Sequence, residues 1–539
     1  MMGISKTHKA FRFDKIMPID ANNIILEQAF ARFLVLVRTK GIPITTTTKD
    51  TLYPKDLVKL ISDDPVHFQG ISGDDHREQI IEDWLANEFA TTIKVGRSGE
   101  GEGRIANLKP IHMSTIKMID PRVRSQDRDL SKFLYNVFQD SDLIIGGGSV
   151  LLPYLTLGTS DFGENDSKLD EGETKELDIE TLFLLRLLEH FHIDKVDKKK
   201  KISHHEFICQ GQRQLIINDT ARLLVYKDSM PRRELIDYLI SLFAFHAALY
   251  CLKSYRLINH FVGTSRFQCR HCKGINVANL DKLADCEFKP DIFVDLTNGQ
   301  DKECDRMAKE KVSYHHDIMF RYFRSHYKLK KLDEFASTFP GYKGSFEELT
   351  QFFRHKDLEG YFRAKLSEIT STDEGEEMDP EIQSIIELGM PPLETFVEII
   401  TQKTFDSRVS NHKKLMASLC GLGKENGFLT GGRGRKRKYV LGNALLELLV
   451  QLAVVDYNPN KKVFYTKPIV ITDFVNWLRN RYGIFIDKNN GAEDSPEKAK
   501  ALENNYNALK TKLRQLGFYT DLSDASNSQV IRPRYPVVS

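Results

Sequence analysis

The stretch "PRRELIDYLISLFAFHAALYCLKSYRLINHFV", residues 231–262, decides the fold class. From Tyr238 to Leu252 it runs fifteen residues without an Asp, Glu, Lys or Arg. A bilayer-spanning helix needs about 20 apolar residues. The run therefore predicts a buried core helix rather than a membrane segment. A helix that is apolar all round must be covered all round, and the flanking sequence supplies the cover. "LDIETLFLLRLLEHF" lies upstream, and "DKECDRMAKEKVSYHHDIMFRYFRSHYKLKKLDEFAS" lies downstream. Both carry helical spacing. Pro231 fits the first helical turn, where its missing N–H costs nothing. One short strand, "DIFVDL", separates the long helices.

The whole chain fits this picture. Its 539 residues suggest about three domains. Apolar residues at 41% and charged residues at 28% are the proportions of a globular protein. Two acidic stretches poor in apolar residues, 158–176 and 370–381, read as linkers or long surface loops. They delimit a mixed α/β block at 1–158, a mainly helical scaffold block at 177–369 and a third block at 382–539. The expected fold is mainly α with small β elements. The opening "MMGISKTHKAFRFDK" has no apolar core of a secretory signal. Seven cysteines, an odd number, suit a reducing compartment. A cytoplasmic protein with no membrane partner is expected.

Net charge is only +2, so any affinity for nucleic acid must come from a local patch. The third block has one, "GGRGRKRKYVLG", at 431–442. The apolar runs "GFLT" and "KYVLG" frame it as a β-hairpin, and the glycines allow a tight path at its tip. A hairpin with a basic tip after a helix is the layout of a winged-helix wing. Arg433, Arg435, Lys436, Arg437 and Lys438 would then meet the phosphates of double-stranded DNA, giving affinity and register but little sequence information. The preceding helix adds Lys413 and Lys414, near Arg408 and His412. Two other readings compete: an import signal, and a basic turn that is solvated or meets an acidic protein. The closing segment "LGFYTDLSDASNSQVIRPRY" reads as a second hairpin with a polar tip.

Cys269 and Cys272 form a C-x2-C knuckle, and Cys286 and Cys304 would complete a four-sulfur structural zinc site. His271, His315 and His316 are substitutes. A second C-x2-C pair is absent. Asp291 and Asp295 bracket a strand and could hold a divalent metal for a nuclease, but no acidic-x-Lys triplet follows. The Gly-rich "GRSGEGEGR" lacks the GK[ST] of a phosphate-binding loop, and "LIIGGGSV" lacks dinucleotide-loop spacing. "DFG" at 161–163 has no catalytic-loop partner, and "SHHE" at 203–206 reads as a solvated loop.

As a set, "GRSGEGEGRIANLKPIHM", "PRRELIDYLISLFAFHAALY", "LKKLDEFA" and "RGRKRKYVLGNALLELLVQLAV" with the closing segment resemble accessory proteins of bacterial anti-phage islands. The nearest are those of methylation-associated defence systems, related to DptG-type proteins of phosphorothioate-dependent restriction. The resemblance implies a bacterial, cytoplasmic subunit of a multiprotein complex, working beside a separate HerA-type ATPase. It implies no catalytic residue.

Overall fold

The computed structural model describes residues 6–46, 52–68, 75–93, 103–118, 124–141, 151–159, 169, 176–191, 196–198, 200–204, 207–267, 269, 272, 274–370, 378–432, 436–458, 460–461, 463–488, 495–519 and 530–538. Helices carry the fold. Those that build the core are α1 (Leu26–Arg38), α2 (Ile179–Leu188), α3 (Gln210–Leu224), α4 (Arg232–Thr264), α5 (Lys302–Ala336), α6 (Pro392–Leu419), α7 (Asn443–Ala453), α8 (Ile471–Tyr482) and α9 (Pro496–Gln515).

The decisive stretch is α4, unbroken over 33 residues. It is long and apolar enough to cross a membrane, with mean hydropathy 1.7 over its most apolar window, yet 94% of that window is buried inside the protein. α1, α3, α5, α6 and α7 all pack on it. Pro231 stands just before its first residue, and Ser265 closes it in the left-handed conformation. α5 begins where the Asp301 carboxylate accepts the Glu303 and Cys304 amides, each at 3.0 Å. α9 begins with Ser495 accepting the Lys498 amide at 3.3 Å, with Pro496 in the first turn.

The β structure consists of short two-stranded pairs among the described residues. Leu429–Thr430 pairs antiparallel with Lys438–Tyr439, the expected basic hairpin. Neither strand pairs with a third strand among the described residues; the hairpin packs on α5 instead, and the Asp295 amide donates to the Tyr439 carbonyl at 3.0 Å. The strand read in "DIFVDL" shrinks to Ile292–Phe293 and runs parallel to Ile484–Phe485. At the C-terminal end, Val530–Ile531 pairs with Ile469–Val470, and the Arg532 amide donates to the Phe518 carbonyl at 3.1 Å. The turn read into "SDASNS" lies outside the described residues. So do residues 94–102 of the Gly-rich loop, residues 143–150, the "DFG" and most of both acidic stretches.

One cluster of buried apolar side chains runs from Phe11 to Ile531 and draws on all three sequence blocks. A smaller cluster joins Leu57, Leu85, Phe89 and Ile105 of the first block to Leu184 and Leu188 of α2. The fold is mainly α with small β elements, as expected.

Candidate nucleic-acid interface and cysteine cluster

A groove of about 1100 Å³ opens between α5, α6 and the basic hairpin. α6 lines it with Ser410, Lys413, Lys414 and Ala417, spaced i, i+3, i+4 and i+7 on one helical face. α5 contributes His316, Asp317 and Phe320, and the hairpin contributes Arg437. Sequence reasoning placed Lys413, Lys414 and Arg437 at a DNA interface, and the fold brings these three to one wall. Lys413 Nζ lies 5.9 Å from the centre of the Phe320 ring. Arg437 Nε is buried without a hydrogen-bond partner among the described residues. His316 is pushed down to about 4, first by burial and then by Lys413 and Arg437. The histidine therefore stays neutral beside the two cations. Asp317 is the one carboxylate among the lining residues. Like charges held together this way gain when a polyanion enters.

The other predicted contacts divide. Lys436 is exposed on the hairpin, while Arg433 and Arg435 lie outside the described residues. Lys438, expected to project with them, points to the opposite face of the strand, as the period of two requires. Its Nζ lies 2.6 Å from Asp295 Oδ2 and 2.7 Å from Asp305 Oδ1. Arg408 instead donates to the Lys9 carbonyl and covers the Phe11 ring, and His412 is buried.

The two carboxylates of the nuclease reading are each held by their own lysine. Asp291 accepts Lys311 Nζ at 2.6 Å. Asp295 accepts Lys438, the Thr297 amide and hydroxyl, and the Gly299 amide. That set folds "LTNGQD" into a turn.

The cysteines converge differently from the expectation. The sulfurs of Cys269, Cys272 and Cys286 lie within 4.8 Å of one another, the one such metal-competent group among the described residues. Cys304 is elsewhere: its thiol meets the Ala501 carbonyl at 3.1 Å, and burial pushes it up to about 12. The neighbour that replaces it is Cys209, the residue capping the N-terminus of α3. Cys272 is raised, first by Cys209 and then by Cys269 and Cys286. Cys286 is lowered, first by Cys269 and then by Cys272. Cys209 is lowered to about 7, chiefly by Cys272. His315 bonds to Tyr439 Oη at 2.8 Å instead, and His271 lies outside the described residues.

Over residues 6–535 the chain matches the family model of methylation-associated defense system protein MAD7. It belongs to the MAD7 family. No curated protein and no solved structure matches it. The family places the chain in an antiviral defence system, as the resemblance implied.

The chain also holds a buried polar network that sequence reasoning missed. His246 Nε2 of α4 lies 3.0 Å from Asp219 Oδ2 of α3, and Gln212 Nε2 lies 2.8 Å from His246 Nδ1. Arg481 and Tyr482 of α8 close on the same carboxylate, Tyr482 Oη at 2.6 Å. Burial alone would raise Asp219, but Arg481 and His246 hold it well below the carboxylate range. An Asp–His pair suggests a catalytic dyad. Here the second carboxylate oxygen is taken by Arg481, and both partners are fully buried, so the network is a structural joint between α3, α4 and α8.

Proposed function

We propose that this MAD7-family protein is a non-enzymatic, DNA-engaging scaffold subunit of a cytoplasmic bacterial defence complex, acting beside a separate ATPase of the HerA type. Residues 382–539 act as a winged-helix-like module on a helical scaffold. The observation that carries this reading is the convergence of Lys413, Lys414 and Arg437 on one groove, beside a hairpin with Lys436 exposed and with Arg433 and Arg435 in its sequence. Cations on a helix face beside a basic hairpin suit a duplex backbone, which is read by charge and shape rather than by base. The bulk of the protein is left to hold partners.

The test is a salt-series titration of the full chain on duplex DNA. Neutralising three to five phosphates gives a slope of log K against log salt of about −3 to −5. The variant Lys413→Ala/Lys414→Ala/Arg437→Ala is expected to weaken binding equally on unrelated sequences. Its slope should flatten by about 2 to 3. Affinity and slope unchanged in that variant would refute the DNA reading and favour an acidic protein as the groove's occupant.

A further inference from the structure

We propose that Cys209, Cys269, Cys272 and Cys286 bind one zinc ion as a four-thiolate structural site. Three segments distant in sequence deliver the sulfurs. Cys209 caps α3, the C-x2-C knuckle follows α4, and Cys286 follows the 3-10 segment Val277–Asp285. The sulfurs of Cys269, Cys272 and Cys286 cluster within 4.8 Å, Cys209 stands two residues before Gly211, whose backbone lies against Cys272 Sγ, and no disulfide joins any of the four. Size favours a single ion. Zinc–sulfur bonds of about 2.3 Å in a tetrahedron put ligand sulfurs about 3.8 Å apart. The spacing under 4.8 Å among Cys269, Cys272 and Cys286 accommodates that edge, and Cys209, at the start of α3, is the thiolate that would close the set. An iron–sulfur cluster, with iron and sulfide atoms between its cysteines, needs more room.

The surroundings fit a charged site. Zinc with four thiolates carries a net charge of 2−. The buried Lys253 acts electrostatically on both Cys209 and Cys286, and Lys289 lies beside Cys286. The first turn of α3 approaches closely because residue 211 is glycine. A Cβ there would stand 2.9 Å from Cys272 Sγ. The ion would tie the loop after α4 to the start of α3. Lys289, three residues past Cys286, extends the tie to α8 by donating to the Asn480 carbonyl at 3.3 Å.

The test uses full-length protein purified without chelator, with metal measured by mass spectrometry. About one zinc per chain is expected. A mercurial titration should release it as four thiols are consumed, and cobalt substitution should give the spectrum of a tetrahedral all-thiolate site. Cys304→Ser should keep the zinc, and Cys209→Ser should lose it. If Cys209→Ser does not fold, the mercurial stoichiometry on the unmodified chain decides instead. Any of the following would overturn the proposal: metal-free protein with seven reactive thiols after denaturation, iron with acid-labile sulfide, a disulfide within the cluster, or a folded Cys209→Ser variant with full zinc.

Discussion

Asp295 is 1% exposed, and a buried carboxylate without a counter-charge is strongly disfavoured. Lys438 supplies that charge from 143 residues away in sequence. Lys438→Ala strands the carboxylate and should cost about 3–5 kcal/mol of stability. Lys436→Ala, on the exposed hairpin, should stay within about 0.5 kcal/mol. Urea midpoints of the two variants check the contrast. Histidines give a second residue-level expectation. Burial first, with nearby cations second, pushes His112, His315 and His412 each down to about 3. Unfolded, each takes a proton near pH 6.5. Between those values the unfolded chain binds more protons, so stability present above pH 6.5 is lost as pH falls toward 3. Each histidine contributes up to about 1.4 kcal/mol per pH unit in that window. The melting temperature should fall steadily from pH 7 to pH 5, with proton uptake on unfolding measurable by calorimetry.

The basic hairpin is an element whose register does the sorting. Adjacent strand residues face opposite ways, so Arg437 joins the groove while Lys438 goes to Asp295. At its neck, Gly431 adopts φ +104°, and a Cβ there would lie 2.2 Å from the Lys436 carbonyl oxygen. Gly431→Val should therefore displace the tip. DNA affinity would drop toward that of the Lys413/Lys414/Arg437 triple-alanine variant, while helix content by circular dichroism stays unchanged. At this scale the sequence was informative. The apolar run of α4, the Ser495–Pro496 start of α9 and the paired flanks of the hairpin follow from local spacing and caps. The i, i+3, i+4 face of α6 could have linked Lys413 and Lys414 to Ser410 and Ala417 in advance. The partner of Lys438 and the fourth cysteine could not be read locally. Asp295 and Cys209 reach their neighbours only through tertiary packing, and Cys304 sits on a helix face whose burial decides its fate.

Across the described residues a minor apolar cluster of Phe293, Cys304, Met307, Ala308, Phe485 and Ala501 accompanies two larger ones of unequal size that divide the work. The large one surrounds α4 and crosses every sequence block, with Ile292 and Ile484 of the parallel strand pair in it and the Asp219 network between α3, α4 and α8 beside it. The small one gathers thirteen buried residues among those described, from Leu57 to Leu188. An acidic stretch placed α2 with the scaffold block, yet its Leu184 and Leu188 pack into this lobe, because apolar burial ignores linker composition. A smaller core removes less apolar surface from water and opens at lower cost. The two tryptophans report on the clusters separately. Trp84 lies edge-on to Phe89 at 4.5 Å and near Phe183 at 5.5 Å, in the small lobe. Trp477 meets Tyr482 at 5.2 Å, in the large core. In urea, a Trp477→Phe variant read through Trp84 should unfold at a lower midpoint than a Trp84→Phe variant read through Trp477. Coincident midpoints in both variants and in far-UV circular dichroism would instead mean that the two clusters unfold as one cooperative unit. Arg233 would then be the natural coupling point, since it runs from the start of α4 to Glu88 and Glu180 of the lobe.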